Sequence, residues 1–352
     1  MIKDNKSLGF WINIKCNTFV KSLLMCKRVV GIAMGGYASE RAISLESGNN
    51  VYQTLSSEKW EVYRLLIDKN QWTVLDQKNH QFRLDQNNLN FNINGKSLRF
   101  DVIFNAVHGI PGENGELAAT LKSQNIPHTS CDPIAAELTF DKRKCQELVK
   151  KTGVSVAKSF RFDHGDHFDE ELILNVVGLP CFVKPNRSGS SFGIIKVYKK
   201  KDLKEGIVSA LKEDSELIIE SALEGPEISV GVYTKNDKVI VLPATEIISK
   251  NDFFDYQAKY EGKSEEITPA KLDSRMIEKV NQIVEKLYVT LELKGVCRSE
   301  FILVDGNPHL LEINTVPGLT PVSLIPQQLK AAGITLTDFF DQLLEQALKK
   351  NN

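Results

Sequence analysis

The sequence predicts an α/β N-terminal domain followed by two α+β domains. Three observations carry this prediction. A chain of 352 residues exceeds the roughly 100–200 residues of one typical domain. From Lys27 onward, short apolar runs alternate with helical stretches, the pattern of βαβ units and a largely parallel sheet. Beyond Gly153 that alternation gives way to pairs of short strands, as antiparallel sheets require. The expected division is residues 27–130, 131–222 and 223–352, with residues 1–26 as a disordered extension.

The extension contains apolar residues, but Lys15 and Lys21 interrupt what would be the core of a secretion signal, and no small-residue cleavage pattern follows. Met25 stands just before a natural first strand, Val29–Met34, which ends at the turn Gly35-Gly36. A helix from about Ser39 to Leu55, a strand Trp60–Ile67, a strand Val102–Val107 and a helix Gly115–Gln124 complete the first domain. One helix is then expected from about Ala135 to Gly153. The central domain takes strands Ser159–Phe162, Cys181–Lys184, Gly193–Val197 and Leu217–Ser221. The third takes strands Glu227–Tyr233 and Val239–Ile248, a loop-rich stretch to Pro269, a helix Asp273–Leu291, two further strands and a helix from about Leu336.

Composition excludes several classes. The formal net charge is −1 with 25% charged residues, so no basic field for nucleic acid exists and any anion site must be local. Six scattered cysteines without a C-x-x-C pair suit reduced thiols in a cytoplasmic protein better than a disulfide framework or a zinc site. No apolar run approaches the ~18 residues that span a membrane.

Two segments carry chemistry. "KPNRSGSSFG", residues 184–193, follows an apolar run and packs a lysine, an arginine, two glycines and three serines into ten positions. It reads either as a solvated turn or as a phosphate-covering loop, with exposed backbone N–H groups and Lys184 as a point charge at its base. "RSEFILVDGNPHLLEINTVPG", residues 298–318, has two β-like runs around Asp305-Gly306-Asn307, a hairpin signal. A turn centred near Gly306 sets Glu300 opposite Glu312, where like charges destabilise a sheet unless a cation neutralises them. Asn314 shares the face of Glu312, and Arg298 that of Glu300. Oxygen ligands without His or Cys select a hard ion, Mg²⁺ or Mn²⁺.

Together, "HGIPGENGELAA" (108–119), "KPNRSGSSFG", "FDYQAKY" (254–260) and "LEINTVPGLTPVSL" (311–324) resemble the motifs of the D-alanine–D-alanine ligase family of the ATP-grasp superfamily, in the same order. The resemblance covers about residues 28–345 and implies an ATP-grasp fold with the N-terminal domain binding substrate. It implies an activity as well: ATP phosphorylates the carboxylate of one D-alanine, and the amine of a second attacks the acyl phosphate, for peptidoglycan precursor synthesis. By resemblance Lys142 and Lys184 hold phosphates, with Ser191 and Lys259 beside the nucleotide. Glu220 and Leu223 contact adenine, and Glu227 the ribose. Glu300, Glu312 and Asn314 hold two Mg²⁺ or Mn²⁺ ions. Arg298 stabilises charge in the transition state. Glu40 binds the ammonium of the first D-alanine, His108 lies near the reacting carboxylate, and Ser323 and Leu324 serve the second substrate. Ser190 and Tyr260 form a loop-closing pair. A homodimer is implied, with no nucleic-acid or membrane partner.

The chain departs from the family pattern in having Arg298-Ser299-Glu300 where Arg-hydrophobe-Asp is usual, and in having Ser188 where Ala, Gly or Glu is common. Three rival readings compete with this one. The first is another ATP-grasp carboxylate ligase, including the depsipeptide-forming D-alanine–D-lactate ligases, which the Tyr260 motif disfavours. A dinucleotide oxidoreductase lacks G-x-G-x-x-G and an acid ending the second strand. A catalytically dead nucleotide-binding module is disfavoured because Arg298 and Lys184 are both present.

Overall fold

The structure, a computed structural model, describes residues 27–189, 192–249 and 264–349; the N-terminal extension, Ser190, Ser191, Lys259 and Tyr260 lie outside them. Strand β1 (Arg28–Gly35) pairs in parallel with β2 (Trp60–Ile67) on one side and β7 (Val102–Asn105) on the other. Its run R-V-V-G-I-A-M-G is buried from Val29 onward, as a strand covered on both faces must be. The sheet is less parallel than the sequence suggests. β3 (Trp72–Leu75) and β4 (Gln81–Arg83) add antiparallel at the edge, giving the order β4-β3-β2-β1-β7. A separate hairpin, β5 (Asn90–Ile93) with β6 (Lys96–Arg99), follows. These polar strands have too little apolar alternation to be read from sequence. Helix α1 (Arg41–Thr54) covers the sheet, and α2 (Glu116–Ser123) starts after Gly115 at φ 88°.

The helix expected over 135–153 is two helices, α3 (Pro133–Phe140) and α4 (Lys142–Lys151). Asp141 breaks them: its backbone is extended and its carboxylate accepts the Lys144 N–H at 3.0 Å, capping α4. Lys142 is thereby placed on the first turn of α4. The apolar faces of α3 and α4 (Ala135, Ala136, Cys145, Val149) share a core with Ile228, Val230, Phe301 and Leu310, and β8 (Ser155–Val156) pairs in parallel with residues 309–310. Residues 133–156 therefore pack on the third sheet, although the sequence reading groups them with the central strands. Amphipathic spacing shows that a face is buried, not which sheet buries it.

The central sheet, order β11-β10-β12-β9, comprises β9 (Ser159–Asp163), β10 (Cys181–Pro185), β11 (Ile195–Val197) and β12 (Glu216–Ser221). Helices α5 (Glu170–Val177) and α6 (Leu203–Ala210) cover it through a core including Ile173, Val183, Leu203 and Leu217. The third sheet is built on β13 (Glu227–Lys235), flanked by β17 (Cys297–Val304) and β18 (Asn307–Asn314) on one side and β15 (Thr245–Ser249) and β16 (Ser264–Ile267) on the other. β14 (Lys238–Val241) also pairs with β13, so the expected strand 239–248 is split at Leu242-Pro243-Ala244, where proline cannot donate a ladder hydrogen bond. Helix α7 (Ser274–Thr290) buries Val280, Val284 and Leu287 against this sheet.

The last helices, α8 (Leu324–Ala331) and α9 (Leu336–Lys349), bridge the third sheet and the first: Gln328 of α8 accepts the Gly231 N–H of β13 at 2.9 Å, and Phe339 of α9 meets Tyr233 of β13 edge to face at 5.0 Å. Phe339, Phe340, Leu343 and Leu344 of α9 join Val30, Val51 and Phe104 in one core, with Phe104 and Phe340 edge to face at 5.4 Å. Each such fully buried phenylalanine contributes about 1.5–3 kcal/mol of transfer energy, so the end of the chain secures the first sheet.

Candidate active site

A cleft of about 450 Å³ opens between the central and third sheets. It brings together Lys142, Lys184, Glu220, Leu223, Glu227, Glu300 and Glu312, which are widely separated in sequence. Its apolar walls are Phe182, Ile194, Ile302 and Leu311. On β10 and β12, Phe182 faces Glu220 and Lys184 faces Ile218, so Lys184 and Glu220 meet diagonally and pair at 2.5 Å. Gln146 of α4 donates to the other oxygen of Glu220. Lys196 lies across from Phe182 in the register of β10 and β11, and the ammonium groups of Lys184 and Lys196 each sit 5.5 Å from that ring. Gly225 lets the floor of the cleft close: at φ 150°, a Cβ there would lie 2.2 Å from the Leu303 carbonyl oxygen. An apolar slot with cations at one end suits a planar base carrying a polyanionic tail.

The base of the Gly-Ser loop is tied down. Asn186 N–H and its amide bond Glu216, while Asn186 Oδ1 accepts the Arg143 N–H at 3.0 Å. Arg187 pairs with Asp141 at 2.8 Å and with Glu216 at 3.0 Å. Burial pushes the Asp141 carboxyl up, but the Lys144 N–H, Asn186 and Arg187 together hold it below the usual carboxylate range. Lys142 donates to the Ser188 carbonyl at 2.5 Å. The start of the loop is thus held at Ser188 by Lys142. At its far side, a Cβ on Gly189 would fall 2.3 Å from Glu40 Oε1, so the loop's glycine rests against the N-terminal domain.

The hairpin forms as its alternation requires. Glu300 pairs directly with Glu312 and Arg298 with Asn314, around the turn Asp305-Gly306. A bulge follows Glu300. Arg298 Nη2 donates to Glu300 Oε1 at 2.6 Å, and Asn314 Nδ2 to Glu312 Oε1 at 3.4 Å. Glu300 is only 2% exposed. Among the described residues no group of three or more His, Cys, Asp and Glu side chains is placed to hold a metal ion, and the donor set here is two carboxylates and one amide. That set fits a hard divalent cation whose other ligands are water or phosphate oxygens.

A third group lies on the N-terminal domain. Glu40, at 5% exposure, stands at the N-cap position of α1, and its side chain makes no capping hydrogen bond. His108 is buried with both nitrogens engaged: Nδ1 lies 2.7 Å from the Val316 carbonyl and Nε2 2.9 Å from Ser47 Oγ. Because a carbonyl only accepts, Nδ1 carries the proton and Nε2 accepts from the hydroxyl. Burial, reinforced by Arg298, pushes its pKa down to about 4 against the Val316 hydrogen bond. Glu113 accepts the Gly109 N–H at 2.7 Å. Burial, with Glu40 and Glu312 nearby, pushes it up to about 8. Ser323 stands at the start of α8 without a capping hydrogen bond from its side chain, its Oγ instead accepting the Thr320 N–H at 3.1 Å, and Leu324 is buried against Ile247.

Sequence reasoning missed Phe182, Lys196 and Glu113. Glu113 stands inside the quoted "HGIPGENG"; Phe182 and Lys196 were visible as facing positions of two predicted strands.

Comparison with known proteins fits this arrangement. A profile described as "D-ala D-ala ligase N-terminus" matches residues 29–131, and one described as "D-ala D-ala ligase C-terminus" matches residues 148–345. The chain belongs to the D-alanine–D-alanine ligase family. A D-alanine–D-alanine ligase of Flavobacterium johnsoniae is 49% identical over 319 residues, covering 91% of this chain and 99% of its own length. That of Christiangramia forsetii is 45% identical over 324 residues, covering 92% and 99%. Among solved structures, D-alanyl-alanine synthetase A from Vibrio cholerae superposes with a TM-score of 0.83 at 26% identity, covering 92% of this chain and 99% of its own. In this ligase-family chain Lys142 falls between the two matched segments, on the helix start that Asp141 creates. No helix among the described residues is long and apolar enough to cross a membrane.

Proposed function

We propose that this chain is an ATP-dependent D-alanine–D-alanine ligase of ATP-grasp architecture, working in the cytoplasm on peptidoglycan precursors. The observation that carries the reading is the single cleft in which Lys142 and Lys184 face the Glu300–Glu312 pair. The adenine lies in the slot near Glu220 and Leu223, with Glu227 on the ribose and the phosphates toward Lys142, Lys184 and the Ser188–Gly193 loop. Ser191 and Lys259 assist there by family resemblance. Glu40 holds the ammonium of the first D-alanine. Its carboxylate oxygen attacks the γ-phosphorus of ATP, the bond to the bridging oxygen of ADP breaks, and D-alanyl phosphate forms.

The amine of the second D-alanine then adds to the acyl carbon. The tetrahedral intermediate collapses with loss of phosphate, and the nitrogen gives up a proton as the amide forms. Arg298 faces the oxygen that gains charge, which is worth most in an enclosed site. Glu300, Glu312 and Asn314 would hold Mg²⁺ or Mn²⁺, two ions by resemblance. These supply charge neutralisation for the transferring phosphoryl group. Ser323 and Leu324 take the carboxylate side of the second D-alanine, and Ser190 with Tyr260 closes the lid. His108 holds structure near the reacting carboxylate rather than moving a proton, since both its nitrogens are engaged. A homodimer is expected, with no nucleic-acid or membrane partner, and the scattered cysteines suit the reducing cytoplasm.

The test is phosphate release from ATP and Mg²⁺ with D-alanine, compared with L-alanine, D-serine and D-lactate as acceptors. D-alanyl-D-alanine as the main product supports the reading; abundant D-alanyl-D-lactate near pH 7 overturns it.

A further inference from the structure

Gln328 of α8 is fully buried, and its amide is spent on backbone and hydroxyl groups of the third sheet. Oε1 accepts the Gly231 N–H at 2.9 Å, while Nε2 donates to the Ser229 carbonyl at 2.9 Å and to Thr245 Oγ1 at 3.1 Å. The break at Leu242-Pro243-Ala244 explains why these groups are open to it. On that edge β13 pairs with β15 at Ser229–Thr245 and with β14 from Val232–Val241, and the glutamine amide stands in for a peptide group between the two. Gly231 makes room: a Cβ there would lie 2.6 Å from Gln328 Oε1. On its opposite edge, β13 sets Ser229 beside Glu300 and Gly231 beside Arg298. Gln328 is therefore bonded to the two residues that back the charged groups of the cleft.

The start of the same helix is Ser323. Gln327 donates to the Val322 carbonyl at 2.9 Å and to Glu266 Oε2 at 2.6 Å, tying the turn before α8 to β16. Ahead of that turn, Ser47 Oγ accepts the Leu319 N–H at 3.2 Å and Asn50 donates to the Leu319 carbonyl at 2.6 Å, both from α1. Ile325 and Leu329 pack in the core with Phe339 and Phe340, but apolar contact is non-directional and does not set the helix in register. Three directional bonds from one buried amide do.

We infer that Gln328 is a positioning residue: by bonding Ser229 and Gly231 it fixes the distance from Arg298 on β17 to Ser323 at the start of α8, and with it the approach of the second D-alanine to the acyl phosphate. The inference rests on the ligase reading and adds to it a residue that touches neither substrate. If the acceptor is displaced, water adds to the acyl carbon instead, the bond from that carbon to the phosphate oxygen breaks, and a proton of the water passes to the departing phosphate. D-alanine is regenerated with net hydrolysis of ATP. A misplacement of about 1 Å can cost roughly 10²-fold in such a step.

The experiment measures phosphate released per D-alanyl-D-alanine formed, KM for ATP and for each D-alanine, and melting temperature, so that activity is compared on folded protein. The wild type is expected near one phosphate per dipeptide. Gln328→Leu, which keeps the bulk and removes all three bonds, should raise that ratio several-fold and raise KM for the second D-alanine by about tenfold, with KM for ATP within about twofold. Thr245→Val removes one of the three and should shift both readings the same way by a smaller factor; it decides the matter if Gln328→Leu does not fold. Thr245 also bonds Thr268 Oγ1 at 2.6 Å, so Thr268→Val, which breaks that contact alone, should behave as the wild type. A ratio that stays at one with an unchanged KM for the second D-alanine, even where the melting temperature falls, overturns the positioning role. A wild type that makes no dipeptide would instead fault the ligase reading itself.

Discussion

Two regions of the molecule handle charge in opposite ways. In the cleft, side chains of opposite charge lean on each other, Lys184 on Glu220 and Arg298 on Glu300, while Lys142 leans on a loop carbonyl. At the seam between α1 and Val316–Leu319, burial drives ionisable groups toward neutrality, His108 down to about 4 and Glu113 up to about 8. The contrast teaches where each substitution registers. On the proposed function, cleft groups exchange protein partners for ligand oxygens, so their loss should appear in binding and rate. Seam groups are engaged by protein partners, so their loss should appear in geometry and in the response to pH.

The strongest way to break this division is Glu312→Ala. Mg²⁺ demands near-octahedral geometry, so Mg²⁺-dependent activity should be abolished, whereas Glu300→Asp, which restores the shorter acid, should keep activity within about a decade. Activity that survives EDTA removes the metal from the account. Next, Arg298→Ala should lower kcat by roughly 10²-fold or more with little change in ATP affinity, as for loss of a preorganised donor; near-normal turnover would return Arg298 to a structural ion pair. Lys184→Ala should act on the other side of the division, raising KM for ATP by about tenfold, in line with one charged hydrogen bond. It also leaves Glu220 without its cation, and Lys184→Arg should recover only part of the loss because the planar fork does not reproduce the point charge.

The smallest effect sharpens the seam. His108 binds a proton near 6.5 when unfolded but only near pH 4 when folded, so between these values the unfolded chain holds more protons and stability falls as the pH falls. Melting temperature measured from pH 7 to pH 4.5 should therefore drop less steeply in His108→Gln than in the wild type, even if the variant starts lower. Equal slopes would mean that His108 does not set the acid limit.

The hairpin was legible because two local rules agree: Asp-Gly fixes the turn, and strand alternation then fixes which carboxylates meet. Lys184 was legible for a similar reason, standing where an apolar run stops at a glycine-rich stretch. Lys142 was assigned by resemblance alone, since its position depends on a helix break at Asp141 that helical spacing did not reveal. The seam was unreadable as a unit. Ser47, His108 and Val316 are brought together by domain packing, and no spacing within one element records it. The packing of residues 133–156 on the third sheet was missed for the same cause, a buried face without an address.

The seating of α9 on the first sheet has a consequence for synthesis. Strands Arg28–Gly35 and Val102–Asn105 emerge from the ribosome early, but the face carrying Val30 and Phe104 is covered by Phe339 and Phe340, made more than two hundred residues later. At roughly 5–20 residues per second, the nascent chain carries that bare apolar face for something like tens of seconds. Maturation of the earliest-made part of this enzyme waits on the last.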